Sequence, residues 1–171
     1  MRLAALALAA GTVVGLVLGG SLRNLAPARL RSLGLVVAGA ACAAVAWRWV
    51  PGAAGMALLI GGYALLLVFA TRNVMVPGMV LIALGLLANA TVMTLDGGMP
   101  VQGAAPGVSL GPHYHGRSGR DRLAGLGDVV RLPALGEIVS GGDLVVAAGA
   151  ATAMAALVRD RRRRGPAALA P

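Results

Sequence analysis

Three polar side chains of this sequence stand in or beside apolar segments, where they could do chemistry. Asp143 opens one such segment, and Asn89 and Thr91 lie within another. In an apolar environment each polar group needs a partner, and a carboxylate there is typical of proton and cation sites. A carboxylate at the start of a helix also accepts free backbone N–H groups. The sequence favours this capping role for Asp143 and leaves a proton or cation site open as the alternative.

A second group of candidates is the pair His113 and His115. On an extended segment both imidazoles would face the same way and could share a metal ion. Asp121 is near in sequence, but the spacing fixes no third ligand, so we expect a solvated loop without a metal. Neither a convincing carboxylate pair nor a nucleophile with its base is found. We therefore predict no catalytic residue, no cofactor and no enzymatic activity.

The composition indicates which environment these residues occupy. Of the 171 residues 58% are hydrophobic and 12% charged, with a mean hydropathy of +0.82. This leaves too little polar surface to coat a water-soluble domain, so we predict an integral membrane protein. The net charge of +9 is carried by arginine, since the sequence contains no lysine. Arginines between apolar blocks set topology and contact anionic lipids, so we expect such lipids at the cytoplasmic face and no nucleic acid.

The apolar blocks are long enough to form transmembrane helices, because a span needs about 20 apolar residues. We predict an all-α fold: a single membrane domain over residues 1–171, a bundle of about five spans with one long extracytoplasmic loop. The predicted spans are about residues 3–22, 32–50, 52–70, 74–95 and 141–158, with an outer loop at 96–140 and a basic tail at 159–171. The first block is predicted to be a span rather than a cleaved signal peptide, because a single Arg2 precedes it.

The distribution of arginine predicts the orientation. Dense clusters follow the first span, at Arg23, Arg29 and Arg31, and the last span, at residues 159–164. The positive-inside rule places both clusters in the cytoplasm together with Arg72. The N-terminus and the long loop then lie outside the cell membrane. The heavy use of Ala, Gly, Pro and Arg suggests a high-GC bacterium.

Glycines at four-residue spacing mark one face of the first span. Gly11, Gly15 and Gly19 would lie on the same side of a helix, where small residues let a second helix approach closely. We predict a helix-packing seam here, and the seam favours association with another copy or with a larger membrane complex.

A tandem repeat of nine residues occupies the outer loop. Residues 122–130 (RLAGLGDVV) are followed directly by residues 131–139 (RLPALGEIV), with five identical positions. Each unit has one arginine and one acid, Arg122 and Asp128 in the first unit. The units are amphipathic and too short to span, so we expect two short segments on or just under the outer membrane surface. A structural brace is the favoured interpretation, and an external contact is the alternative.

Three motifs resemble a known family. The sequence has GGSLRNLA at residues 19–26, DGGMPV at residues 96–101, and RLAGLGDV at residues 122–129 followed by SGGD at residues 140–143. In this order they resemble bacterial multi-pass proteins of domain of unknown function family 5317 (DUF5317), in which Asn is usual at the position of Asp96. The resemblance implies the topology and no activity. It draws attention to Asn24, Gly98, Pro100 and Asp143, and to Arg122 and Asp128 of the repeat, and with Asn89 of the fourth span these are the candidate polar and turn positions.

These observations lead to three hypotheses about function. The favoured one is a structural or accessory subunit of a membrane assembly, based on the glycine seam and the sparse polar content. The second is a small oligomeric transporter or channel with Asp143 and Asn89 on a polar path. The third is an envelope enzyme that uses the outer loop, for which only His113, His115 and Asp121 are available.

Overall fold

The computed structural model describes residues 2–25, 30–103 and 110–159. The chain is mostly helical, and one helix overlaps each predicted span. The helices are α1 (Arg2–Val17), α2 (Leu33–Trp49), α3 (Gly52–Arg72), α4 (Met79–Asp96) and α5 (Gly141–Arg159). By length and composition α3, α4 and α5 are able to cross a membrane, whereas α1 and α2 are apolar but shorter.

The ends of the helices follow from local backbone chemistry. α1 ends at Val17 rather than at Leu22, because Gly19 turns the chain at a φ of 81° and the next residues form a short 3-10 helix, Leu22–Asn24. α4 begins only at Met79, since Pro77 and Gly78 separate it from α3. Gly78 has a φ of 94°, a conformation that costs other residues energy.

The five helices pack in a curved row in the order α1, α5, α4, α3, α2. Neighbours in the chain are therefore not always neighbours in space, because α5 inserts between α1 and α4. Among the described residues α1 and α2, the two ends of this row, do not pack along their lengths. The row leaves a space between them.

Glycines allow the helices of this row to touch at the backbone. A methyl group at Gly11 would overlap the backbone of Ala151, and one at Gly15 would overlap Val158, so the α1 seam packs against α5 of the same chain. Gly19 lies beyond the end of α1, exposed in the turn that follows it. Gly20 also approaches α5, at the carbonyl of Val158.

A four-stranded sheet lies within the predicted outer loop and corrects the all-α prediction. The strands are β1 (Met99–Val101), β2 (Tyr114–Gly116), β3 (Asp128–Leu132) and β4 (Glu137–Ser140), in the spatial order β2-β1-β3-β4. β1 pairs in parallel with β2 and β3, and β3 and β4 form an antiparallel hairpin. The sheet covers one end of the helix row, where α4 ends and α5 begins.

The tandem repeat is also a structural repeat. In each unit a backbone N–H closes a turn at the same position: Leu126 donates to Leu123, and Leu135 donates to Leu132. Each turn leads into a strand that starts at the acid of the unit, Asp128 for β3 or Glu137 for β4. The repeat thus forms a hairpin of two turn-and-strand units, rather than two amphipathic segments on the membrane surface.

Candidate functional site

A cavity of about 740 Å³ lies beneath the sheet, in the space between the ends of the helix row. All five helices and three of the strands contribute to its wall. Small and apolar residues form most of it, among them Leu3 of α1, Ala43 of α2, Met93 of α4 and Val146 of α5. Its volume falls within the range of roughly 300–1,000 Å³ that is usual for small-molecule sites.

The acidic residues of the chain are concentrated at this cavity. The sequence has six acids against fifteen arginines, yet Asp128, Glu137 and Asp143 all line the cavity. No arginine is found among its lining residues in the described part of the chain. The distribution is the reverse of what the overall charge of +9 would give by chance.

Asp143 caps the helix that it opens. Its Oδ2 accepts the backbone N–H of Ser140 at 3.1 Å, and Ser140 Oγ accepts the backbone N–H of Asp143 at 3.0 Å, which is a reciprocal capping box. The other oxygen, Oδ1, accepts from Asn89 Nδ2 at 2.7 Å. Both oxygens of Asp143 therefore have partners while the side chain lines the cavity.

Asn89 connects this cap to the fourth helix. It is 2% exposed, its amide donates to Asp143, and its carbonyl accepts the hydroxyl of Ser140 at 2.9 Å. The Tyr63 side chain also interacts with Asn89. The sequence predicted a partner for Asn89 at membrane depth, and the structure places that partner on α5.

Asp128 differs from the other acids because one of its oxygens has no partner. The residue is 7% exposed, and Oδ1 is buried without a hydrogen bond. Burial, and secondarily the neighbouring Asp143, raises the pKa of Asp128 to about 7. A buried carboxyl without a partner is costly, so it marks a place where a proton or a ligand is expected.

Glu137, the matching acid of the second repeat unit, has a different role. Its carboxylate accepts the backbone N–H groups of Arg2 at 2.9 Å and Leu3 at 3.2 Å, at the start of α1. The Arg2 guanidinium in turn donates to the carbonyl of Leu135 at 2.6 Å. Glu137 therefore ties the first helix to the β-hairpin.

Aromatic side chains form part of the same wall. The chain has two Trp, two Tyr and one Phe, and Trp47, Tyr63 and Tyr114 all line the cavity. The rings of Trp47 and Tyr114 meet edge to face, with centroids 4.6 Å apart and an interplanar angle of 71°. Burial raises the pKa of Tyr114, which keeps its hydroxyl neutral.

The other predicted positions lie outside the cavity. Asn24 Nδ2 donates to the carbonyl of Val158 at 2.7 Å and so caps the end of α5. Gly98 lies where β1 begins, next to the carbonyl of His113, and Pro100 is fully buried within β1. Arg122 is exposed, and its backbone N–H donates to Asp96. These residues position helices and strands and do not reach the cavity.

The two histidines do not converge on one site. His113 is buried, and its Nε2 donates to the carbonyl of Ala46 at 3.1 Å, which joins the sheet to α2. His115 Nε2 instead pairs with Asp121 Oδ1 at 2.9 Å. In the described residues no group of three metal-ligating side chains is found.

Sequence reasoning missed several residues of this site. Glu137, Ser140 and the two tyrosines were not singled out, although the repeat and the SGGD motif contained signals for the first two. Serine followed three residues later by an acid is a capping-box pattern. The tyrosines had no such signal, because only the packing order of the helices brings α3 and β2 to the same cavity.

Comparison with known proteins identifies the family. A family described as "Family of unknown function (DUF5317)" matches residues 25–155, which is most of the chain. Comparison with curated proteins and with solved structures gives no match. The matched segment runs from the end of the 3-10 helix through all but the last turn of α5. The chain therefore belongs to DUF5317, a family of unknown function.

Proposed function

We propose that this chain is an integral membrane protein that binds a small molecule in the cavity beneath its outer sheet. The observation that carries the proposal is Asp128: a buried carboxyl with an unpartnered oxygen, in a residue that lines a cavity to which every helix contributes. Mostly apolar walls with a few polar groups are the usual composition of a ligand site. We therefore assign the chain a binding function, in which the sheet covers the cavity.

The proposed topology has five spans, with the N-terminus and the sheet outside and the C-terminus in the cytoplasm. Arg23, Arg31, Arg72 and Arg159 stand at the end of the bundle opposite the sheet. By sequence, nine of the fifteen arginines lie in the connection between α1 and α2, at the end of α3, or from Arg159 onward, and this excess favours the cytoplasm and contact with anionic lipids. The structure has three helices long enough to span, so the spans at α1 and α2 belong to the proposal.

Two features support spans at the shorter helices. α1 has 16 residues and is about 24 Å long, less than a hydrocarbon core of about 30 Å. Apolar residues continue beyond it to Leu22, and the bilayer can thin locally to meet a short helix. Large apolar side chains on its surface, such as Val17 at 79% exposure, suit contact with lipid.

Binding is preferred to the accessory role that the glycine pattern favoured. That role relied on a free seam for a second molecule, but Gly11 and Gly15 are covered by α5 of the same chain.

Binding is also preferred to conduction. Below Asp143 the cavity is lined by Val146, Ala147 and Ala150, which offer no polar path toward the other end.

Filling the cavity tests the proposed binding. Ala44 and Ala41 are both exposed residues of α2, but only Ala44 is among the residues that line the cavity. We expect native mass spectrometry of the wild-type chain, released from its own membrane, to show a bound small molecule. Ala44→Trp should lose this mass and Ala41→Trp should keep it. A wild-type chain that carries no such mass, or an adduct that survives in Ala44→Trp, would contradict binding in this cavity.

Cysteine labelling tests the proposed topology. In a Cys42→Ser background, cysteine is introduced at Gly119 in the sheet region or at Met75, which is 92% exposed between α3 and α4. A membrane-impermeant maleimide should label Gly119→Cys in intact cells and Met75→Cys only after permeabilisation. The reverse pattern would invert the topology, and labelling of both positions in intact cells would rule out an odd number of spans between them.

A further inference from the structure

The wall of the cavity brings together two kinds of group that recognise the same ligand chemistry. Carboxyl groups attract a positive charge, and the faces of Trp and Tyr rings attract it through their quadrupoles. Half of the acids of the chain and three of its five aromatic residues line this one cavity. Together with the lack of arginine in the described wall, this composition favours a cation.

The unpartnered oxygen of Asp128 indicates where the charge would lie. Asp143 has both oxygens in hydrogen bonds within the protein, and Glu137 holds the start of α1. Asp128 Oδ1 is buried without such a bond, and Asp128 is one of the residues that line the cavity. Of the three carboxyl groups, Asp128 is therefore the one with an acceptor left for a ligand.

The dimensions of the cavity decide between a metal ion and an organic cation. Calcium and magnesium take six or more oxygen ligands at short range, and the described residues contain no group of three candidate metal ligands. A space of about 740 Å³ with apolar and aromatic walls instead suits a molecule with an apolar body. Recognition of ammonium groups by aromatic side chains is an established mode of binding.

We infer that the ligand is an organic ammonium ion, with its charged group against Asp128 and its apolar body against Trp47, Tyr63 and Tyr114. This inference rests on the proposed binding function and specifies its ligand class. Asp143 adds negative charge beside Asp128 and stays engaged in its cap. Between α1 and α2 the apolar side of the cavity is open toward the proposed bilayer.

Two probes of the same shape, one charged and one neutral, separate the effect of charge on affinity from the effect of shape. Benzyltrimethylammonium carries a permanent positive charge, and neopentylbenzene has carbon in place of the nitrogen. The full-length chain with Trp49→Phe leaves Trp47 as its sole tryptophan, so its fluorescence reports on the cavity. We expect a saturable change with benzyltrimethylammonium, and binding of the neutral probe weaker by about tenfold or more.

Two matched variants locate the interaction. Asp128→Asn should lower the affinity for the ammonium by about tenfold or more while leaving that for neopentylbenzene unchanged. Asp96→Asn makes the same chemical change outside the cavity and should leave both affinities unchanged, and a far-ultraviolet circular dichroism spectrum confirms that each variant is folded. Equal binding of the two probes, or no effect of Asp128→Asn, would overturn the ammonium inference while the binding function stands. No saturable signal from either probe would overturn both.

Discussion

The two units of the nine-residue repeat have the same local structure but give their acids opposite roles. Residues 122–130 and 131–139 both form a turn closed between two leucines, followed by a strand that begins at the acid. In the second unit Glu137 accepts two backbone N–H groups of α1. In the first unit Asp128 is buried with one oxygen unpartnered at the cavity.

This difference separates residues that hold the fold together from residues that are available to a ligand. A satisfied carboxylate such as Glu137 stabilises the folded chain through the helix that it caps. An unsatisfied one such as Asp128 costs stability and is characteristic of functional sites. The repeat therefore provides an internal comparison, because both units have a turn closed between two leucines and a strand that begins at the acid, while the environment of the acid differs.

The largest expected effect concerns the glycines that precede the two acids. A methyl group at Gly127 would overlap the carbonyl and ring of Pro100, whereas one at Gly136 would make only an ordinary contact with the Arg2 guanidinium, but at a φ of 62°. Gly127→Ala should lower the free energy of unfolding by about 3 kcal/mol through overpacking. Gly136→Ala should lower it by about 1 kcal/mol, the cost of a left-handed residue. Denaturant titration in mixed micelles measures the free energy of unfolding of both variants. Equal decreases would show that the two glycines are under the same constraint.

The next effect distinguishes the acid that caps α1. Glu137→Ala removes the acceptor for the N–H groups of Arg2 and Leu3 and should lower the free energy of unfolding by about 2 kcal/mol. Glu137→Gln keeps one acceptor oxygen and should lower the free energy of unfolding by a smaller amount. The same titration in mixed micelles tests the order of the two variants. A stability of Glu137→Ala equal to wild type would remove the structural role assigned to the second unit.

Apart from these substitutions, the stability of the folded chain should also depend on pH. The pKa of Asp128 is raised from an ordinary value of 3.8 to about 7, so between these values the folded chain retains a proton that the unfolded chain has lost. This contribution to stability is fully present below about pH 4 and is lost as the pH rises to about 7. Asp128→Asn should remove this slope from the unfolding midpoint, and Asp96→Asn should retain it. Parallel curves for wild type and Asp128→Asn would refute the raised pKa.

Sequence reasoning located the helices because their signal is local. Apolar runs bounded by arginine, proline and glycine gave the existence of all five, and a carboxylate at the start of α5 indicated a cap. The cap geometry of Asp143 and its bond to Asn89 agree with that local signal. The boundary of α1 was less well predicted, because the turn at Gly19 depends on how the chain meets α5.

The sheet and the cavity could not be predicted in the same way. β1 and β2 have only three residues each and pair in parallel across a long connection, so neither has a periodicity to detect. The β-branched ends of the repeat units, Val129 with Val130 and Ile138 with Val139, were a usable signal for the hairpin. The cavity requires the packing order of the helices, which depends on contacts between residues far apart in the chain.

Proton release on binding tests the central claim most directly. Benzyltrimethylammonium has a permanent charge, so any proton released when it binds comes from the protein. Isothermal titration calorimetry in two buffers of different ionisation enthalpy counts these protons. At pH 7 we expect the release of about half a proton per bound cation, because Asp128 is then about half protonated and must ionise to pair with the ligand. Binding without proton release, or equal release from Asp128→Asn, would contradict the assignment of Asp128 as the residue that receives the charge.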